Sequence, residues 1–160
     1  MGYIKTRYLY KIATAAEHAE WVAAGSITGS GLDLADGFFH SSDGVMVKTV
    51  ASMFFKGAQR SFCVRVTRRR CPLTLTCPSA ACAGVEGLVL LQLDHTTLDK
   101  VEVVDAETAP PHTPGTYLVH ALPDGCGHIF GPAMPLSVVT ATFPLPWDAA
   151  AESHTFPEMP

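Results

Sequence analysis

Two short segments hold the residues best suited to chemistry, Gly37-Phe38-Phe39-His40-Ser41-Ser42 and Gly127-His128-Ile129-Phe130-Gly131-Pro132. Each sets one imidazole on a short apolar run, with hydroxyls or a Gly-Pro turn directly behind it. Imidazole changes charge near neutral pH, so His40 and His128 are the candidates for proton transfer or for bonding a ligand. Ser41 and Ser42 supply hydroxyls that donate and accept, and Phe130 supplies an apolar wall. One histidine at a strand edge often does no more than satisfy nearby backbone. Two of them, each beside a turn, point to a shared site.

Other residue patterns suggest other chemistries. His40-Ser41-Ser42 and His95-Thr96-Thr97 both read His-x-[Ser/Thr], the spacing of two-histidine phosphoesterases, although Thr96 and Thr97 are more simply turn or cap residues. Cys126, two residues before His128, reads as a small core residue, as does Cys63. Cys71, Cys77 and Cys82 lack zinc-knuckle spacing and a following histidine, so no metal site is expected. Asp33, Asp36 and Asp43 fall in loop and cap positions without a paired-carboxylate pattern.

The chain has 160 residues, 48% of them apolar and 16% charged, which suits one domain burying about two-thirds of its unfolded surface. A net charge of −4 argues against general nucleic-acid binding, and the Arg65–Arg70 cluster is local. No apolar run approaches the ~20 residues that span a bilayer. With no secretory h-region and an odd count of five cysteines, reduced thiols and a cytoplasmic setting are expected. Met1-Gly2-Tyr3-Ile4-Lys5-Thr6 fits the N-myristoylation pattern at Gly2, although a plain lead-in to the first strand is the simpler reading.

The elements that must position the histidines follow from pattern. Tyr8–Ile12 reads as a strand, and Thr14-Ala15-Ala16-Glu17 as a capping box opening a helix through Trp21 to Gly25. Residues 26–36 read as a loop into Phe38-Phe39-His40. Ser41 or Ser42, with Asp43, is expected to cap a second helix whose Val47, Val50, Ala51 and Phe54 face the core, ending at Gly57. Strand-like runs follow at 62–67, 88–93, 101–104, 117–120, 128–130 and 138–143. Two segments look inserted, about 60–87 and 105–125, the Pro- and Thr-rich 105–116 reading as a surface loop or β-arm. These pieces make one α+β domain over 1–143, with two main N-terminal helices, and a Pro-rich tail over 144–160 that should be extended or disordered.

In this order, Tyr10-Lys11-Ile12, the Trp21 helix, Asp36-Gly37-Phe38-Phe39-His40-Ser41-Ser42, Phe54-Phe55-Lys56-Gly57, Leu88–Asp94 with Leu98, and Gly127–Leu136 resemble domain-of-unknown-function family 952. Its two marks are Gly-Phe-Ile-His-x-Ser and Phe-Pro-His-Leu-Tyr-Gly-Pro; here Phe39 replaces Ile, Cys126-Gly127 replaces Phe-Pro, and Phe130 replaces Tyr. The resemblance implies an ADP-ribosyltransferase-like split β-sheet with an NAD-sized cleft, similar to the RNA 2′-phosphotransferase branch. It puts Lys11 and His40 at two of that branch's pocket positions and makes His128 a third wall. His40 would then hold ribose or phosphate oxygens, Ser41 and Ser42 would add hydrogen bonds, and His128 would serve acceptor or base duty. Lys11, and with it Arg7, would pair with phosphate. NAD is the implied cofactor, and the implied reaction is cleavage of its nicotinamide–ribose bond. The acidic residue such transferases use falls on Glu102 or Asp105, a choice left open. Lys11 is donor only and charged where that branch has histidine. It favours a non-catalytic module that binds a nucleotide or small anion.

Overall fold

The computed structural model describes residues 6–55, 87–105 and 107–160. The expected strand at 62–67, the Arg65–Arg70 cluster, Cys63, Cys71, Cys77 and Cys82, the Gly57 stop and the Gly2 motif lie outside them. The chain opens with β1 (Tyr8–Thr14), then α1 (Ala15–Ala24), β2 (Ser26–Ile27), α2 (Gly31–Asp36), β3 (Phe39–Ser42) and α3 (Met46–Phe54). After these come β4 (Leu88–Asp94), β5 (Val101–Val104), β6 (Tyr117–Ala121), β7 (Cys126–Phe130), β8 (Met134–Pro135), β9 (Val139–Leu145), β10 (Trp147–Asp148) and β11 (Ser153–His154). The fold is α+β. Seven strands form one mixed sheet in the order β5-β6-β7-β3-β1-β4-β9, antiparallel except for the β5–β6 pair.

Strand alternation gives the sheet two different faces. One buries Leu9, Ala13, Phe39, Leu91, Leu93, Val119 and Ile129 with Trp21 of α1 and Ile27 of β2. The other buries Tyr10, Leu88, Leu90 and Leu145 with Val47 of α3. The capping box at Thr14 and Glu17 forms as its spacing predicts, and Gly25 closes α1 in the left-handed region.

Several elements differ from the sequence reading. The supposed loop at 26–36 contains β2 and α2, so a short helix joins the two main N-terminal ones. A second capping box, between Ser30 and Asp33, starts α2; its six residues are too few for an apolar period to show. Ser41 and Ser42 lie within β3, and it is Asp43 Oδ1 that accepts from the backbone N–H groups of Val45 and Met46 at the start of α3. Of the predicted core face of α3, Val47 and Ala51 are buried and Phe54 is exposed, while Phe55 just beyond packs inward. Of the segment at 105–125, residues 117–121 are β6, buried throughout. The domain also continues past 143: β9 runs to Leu145, β10 pairs with β11, and Phe156 and Met159 pack on the Tyr10 cluster. Pro144 is tolerated because β9 is an edge strand with one unpaired side.

The turn after β7 depends on one glycine. Gly131 has φ +147, and an added Cβ would lie 2.5 Å from the Tyr117 ring, which is anchored by its hydroxyl donating to Ala133 O at 2.9 Å. Gly37 has φ +80 but open space around it. Gly37→Ala should therefore cost about 1 kcal/mol, the conformational penalty alone, and Gly131→Ala more, because the ring must also move. Melting temperatures in the reverse order would refute this packing.

Candidate functional site

The site grows from strand register. His40 of β3 pairs with His128 of β7, and His128 pairs with His120 of β6. Directly paired residues share a face, so three imidazoles run in a row across adjacent strands. Ring centroids are 5.7 Å apart for His40–His128 and 6.1 Å for His120–His128. Phe38 stacks on His128 at 4.1 Å and lies 4.6 Å from His40 and 5.1 Å from Phe130. The His112 ring lies 5.7 Å from that of Phe130. His120 was not singled out from sequence, since Leu118-Val119-His120-Ala121 reads as an ordinary core strand; only its pairing with β7 exposes its place.

Asp33 determines how His40 is held. Its Oδ1 lies 2.8 Å from His40 Nδ1 and accepts the His40 backbone N–H at 2.9 Å. Its Oδ2 accepts the Ser30 backbone N–H at 2.7 Å and pairs with Lys11 Nζ at 2.6 Å. Lys11 Nζ also donates to His40 O at 3.1 Å. β1 and β3 share a single paired position, Tyr10 with Ser42. Beyond it the main-chain groups of His40 are satisfied by Asp33 and Lys11 side chains in place of a ladder. On the outer side, His40 Nε2 lies 3.1 Å from Asp36 Oδ2. Both carboxylates are acceptors, so the two contacts are complete when both ring nitrogens carry hydrogen.

These contacts divide the predicted site residues. His40, His128 and Phe130 come together, and Ser42 lies on their face but is buried. Lys11 and Ser41 point to the opposite face. Lys11 is 3% exposed and bound to Asp33, and Ser41 Oγ donates to Gly127 O at 2.6 Å. Neither is placed to touch a ligand on the histidine face, which corrects the roles expected of them. Arg7 is likewise engaged, its guanidinium 2.7 Å from Asp94. Glu102 shares the face of Phe130 but two strands away, roughly 10 Å at ordinary strand spacing, and Asp105 is exposed beyond the end of β5. Asp33 and Asp36, read from sequence as scattered, are the carboxylates that meet His40. The Ser30-x-x-Asp33 box was the available signal for Asp33.

The phosphoesterase pairing does not assemble. His95 follows Asp94, which pairs with Tyr8, whereas His40 lies at the level of Ile12. Four residues of strand put about 13 Å between those levels. Thr96 and Thr97 instead bond Asp94, as turn residues do. Burial pushes the Cys126 thiol up to about 11, so no thiolate nucleophile forms there near neutral pH. Among the described residues no group of three His, Cys, Asp or Glu is arranged to hold a metal ion. No helix among them is long and apolar enough to cross a membrane. Two surface depressions, of about 200 Å³ near Trp147 and Phe156 and about 670 Å³ near Thr6 and Met159, do not border His40 or His128. Convergent ionisable groups mark the histidine face.

Burial raises the Asp33 pKa, but the His40 hydrogen bond and the Lys11 ammonium outweigh it and hold the carboxyl well below the usual carboxylate range. Its stabilisation is thus present above about pH 4 and lost as pH falls through the folded value. Asp33→Asn leaves Lys11 buried without a counter-charge and should cost about 3–5 kcal/mol in urea unfolding at pH 7; a loss under 1 kcal/mol would show that the pair is not what holds β3. His128 is pushed below its ordinary 6.5, by burial first and then by His40 and His120. The folded state then binds fewer protons than the unfolded one, so stability falls as pH drops below about 6.5. Unfolding at pH 7, 6 and 5 should show a smaller decline in His128→Gln than in the wild type, and equal declines would contradict this.

Residues 12–80 match the model of a family described as "Protein of unknown function (DUF952)". No curated protein matches. The fold is shared with Protein CC0527 from Caulobacter crescentus: two crystal structures superpose with a TM-score of 0.57 at 21% identity, covering 92% of this chain and 93% of that one. The solution NMR structure of the same protein gives 0.51 at 23% identity, covering 91% and 90%.

Proposed function

We propose that this chain, which belongs to the DUF952 family of proteins of unknown function, binds a nucleotide on the histidine face of β3, β7 and β6, with NAD or a related ligand as its occupant. One observation carries the reading. Phe38, His40, His128 and Phe130 are gathered on one half-exposed face, and His40 is fixed in orientation by a buried carboxylate. Aromatic rings suit the planar part of such a ligand, and imidazoles suit its ribose and phosphate oxygens. In this reading the fold is ADP-ribosyltransferase-like, and the opening between β1 and β3 corresponds to the split of that sheet. His40 and His128 touch the ligand, Phe130 and Phe38 wall it, and Lys11 acts through Asp33 and the His40 carbonyl.

The Lys11 ammonium is spent on Asp33, so the imidazoles of His40 and His128, and not an ammonium, are left to meet the ribose and phosphate oxygens of the ligand. Binding without turnover is the favoured form of the proposal. Asp33 is fully engaged by donors, Glu102 lies two strands from Phe130, Asp105 lies beyond the end of β5, and Asp36 is paired with His40 Nε2, so none of the four stands unpaired beside the imidazoles as the transferase acid.

Titration calorimetry with NAD, ADP-ribose and a 2′-phosphorylated RNA tests this. NAD or ADP-ribose should bind with a Kd of roughly 1 μM to 1 mM, about −8 to −4 kcal/mol. His40→Ala and His128→Ala should each weaken binding by roughly 1 kcal/mol, the worth of one hydrogen bond. Absence of heat with all three ligands overturns the nucleotide reading. Release of nicotinamide on incubation with NAD would make the protein a transferase rather than a binding module.

A further inference from the structure

Asp36 occupies a place where its charge is poorly supported by its own helix, yet it holds His40. It is the last residue of α2, at the end of the helix dipole that disfavours a carboxylate, and no basic residue lies in that last turn. Its side chain is 42% exposed, and its Oδ2 sits 3.1 Å from His40 Nε2. Asp33, one turn earlier, is the opposite case, buried and held by Lys11, Ser30 and His40. The same imidazole is therefore gripped on its inner nitrogen by a fixed carboxylate and on its outer nitrogen by a removable one. Gly37 follows at φ +80 and closes α2, its N–H donating to Asp33 O, so the helix ends directly behind the Asp36 carboxylate.

We propose that Asp36 is an internal stand-in for the ligand: its carboxylate fills the outer nitrogen of His40 until an anionic oxygen of the ligand, from a phosphate or a carboxylate, takes its place. This rests on the reading of His40 as a ligand contact, and it names the chemical group that meets it. An incoming anion must both displace Asp36 and approach its charge, so Asp36 lowers affinity for free anions and reserves the site for ligands that gain further contacts on Phe38 and Phe130. The acceptor oxygen that Asp36 offers is the kind of atom the ligand brings.

The test titrates inorganic phosphate, acetate and ADP-ribose into the wild-type protein, Asp36→Asn and Asp36→Glu, following the histidine ring resonances by NMR. Circular dichroism checks that each variant is folded. Asp36→Asn should bind phosphate or acetate about 2- to 5-fold more tightly, the scale of one exposed ion pair, with the shift centred on His40. The anion that gains more identifies which source of oxygen the site prefers, and Asp36→Glu should return affinity towards wild type. Equal or weaker anion binding by Asp36→Asn overturns the gate; if ADP-ribose still shifts His40, the site reading survives alone. If no ligand shifts His40 in any of the three proteins, both fall.

Discussion

The buried Lys11–Asp33 ion pair is the contact on which the rest of this structure depends. Taking two charges out of water costs several kcal/mol per ion, and the cost is repaid only where further hydrogen bonds complete the site. Here they do. Asp33 accepts from Lys11, from the Ser30 backbone and from both the backbone and the ring of His40, and Lys11 also supplies the donor that His40 O would otherwise take from β1. The pair stands in for the missing part of a β-ladder. It lets β3 part from β1 after a single paired position without stranding polar groups in the core.

From that wedge the histidine face follows. β3 is held in register with β7, and β7 with β6, so one imidazole from each strand falls on the same line. The opposite face of the same strands is an apolar core under α1 and β2, into which Lys11 and Ser41 point. Neighbouring imidazoles and burial discourage a proton on His128, while two carboxylates surround the ring of His40. Two histidines less than 6 Å apart thus meet different electrostatic surroundings. Such asymmetry is how one pocket assigns different tasks to like residues.

The likeness to CC0527 extends over nearly the whole of both chains and concerns the fold. Folds host many functions, and the site must be argued from its own residues. In this chain the residues to argue from are few: His40 held by a buried carboxylate, His128 with its proton disfavoured, the rings of Phe38 and Phe130 beside them, and the exposed Asp36.

Local chemistry made much of this legible from the chain alone. The capping box at Thr14, the stop at Gly25 and the run at 88–93 all rest on interactions within a few residues or on strong patterning, and each stands in the structure. The short helix α2 escaped notice because six residues cannot display a helical period, and with it went the meaning of Asp33 and Asp36. The resemblance puts Lys11 at a pocket position, but strand alternation turns it, with Leu9 and Ala13, to the face opposite His40, where Asp33 takes its ammonium. His120 entered only through pairing with a distant strand. The sequence by itself determined which side chains were available and which elements carried them. The tertiary structure alone decided that a lysine would be spent on an aspartate and that three histidines would share a face, because register and burial are properties of contacts between residues far apart in the chain.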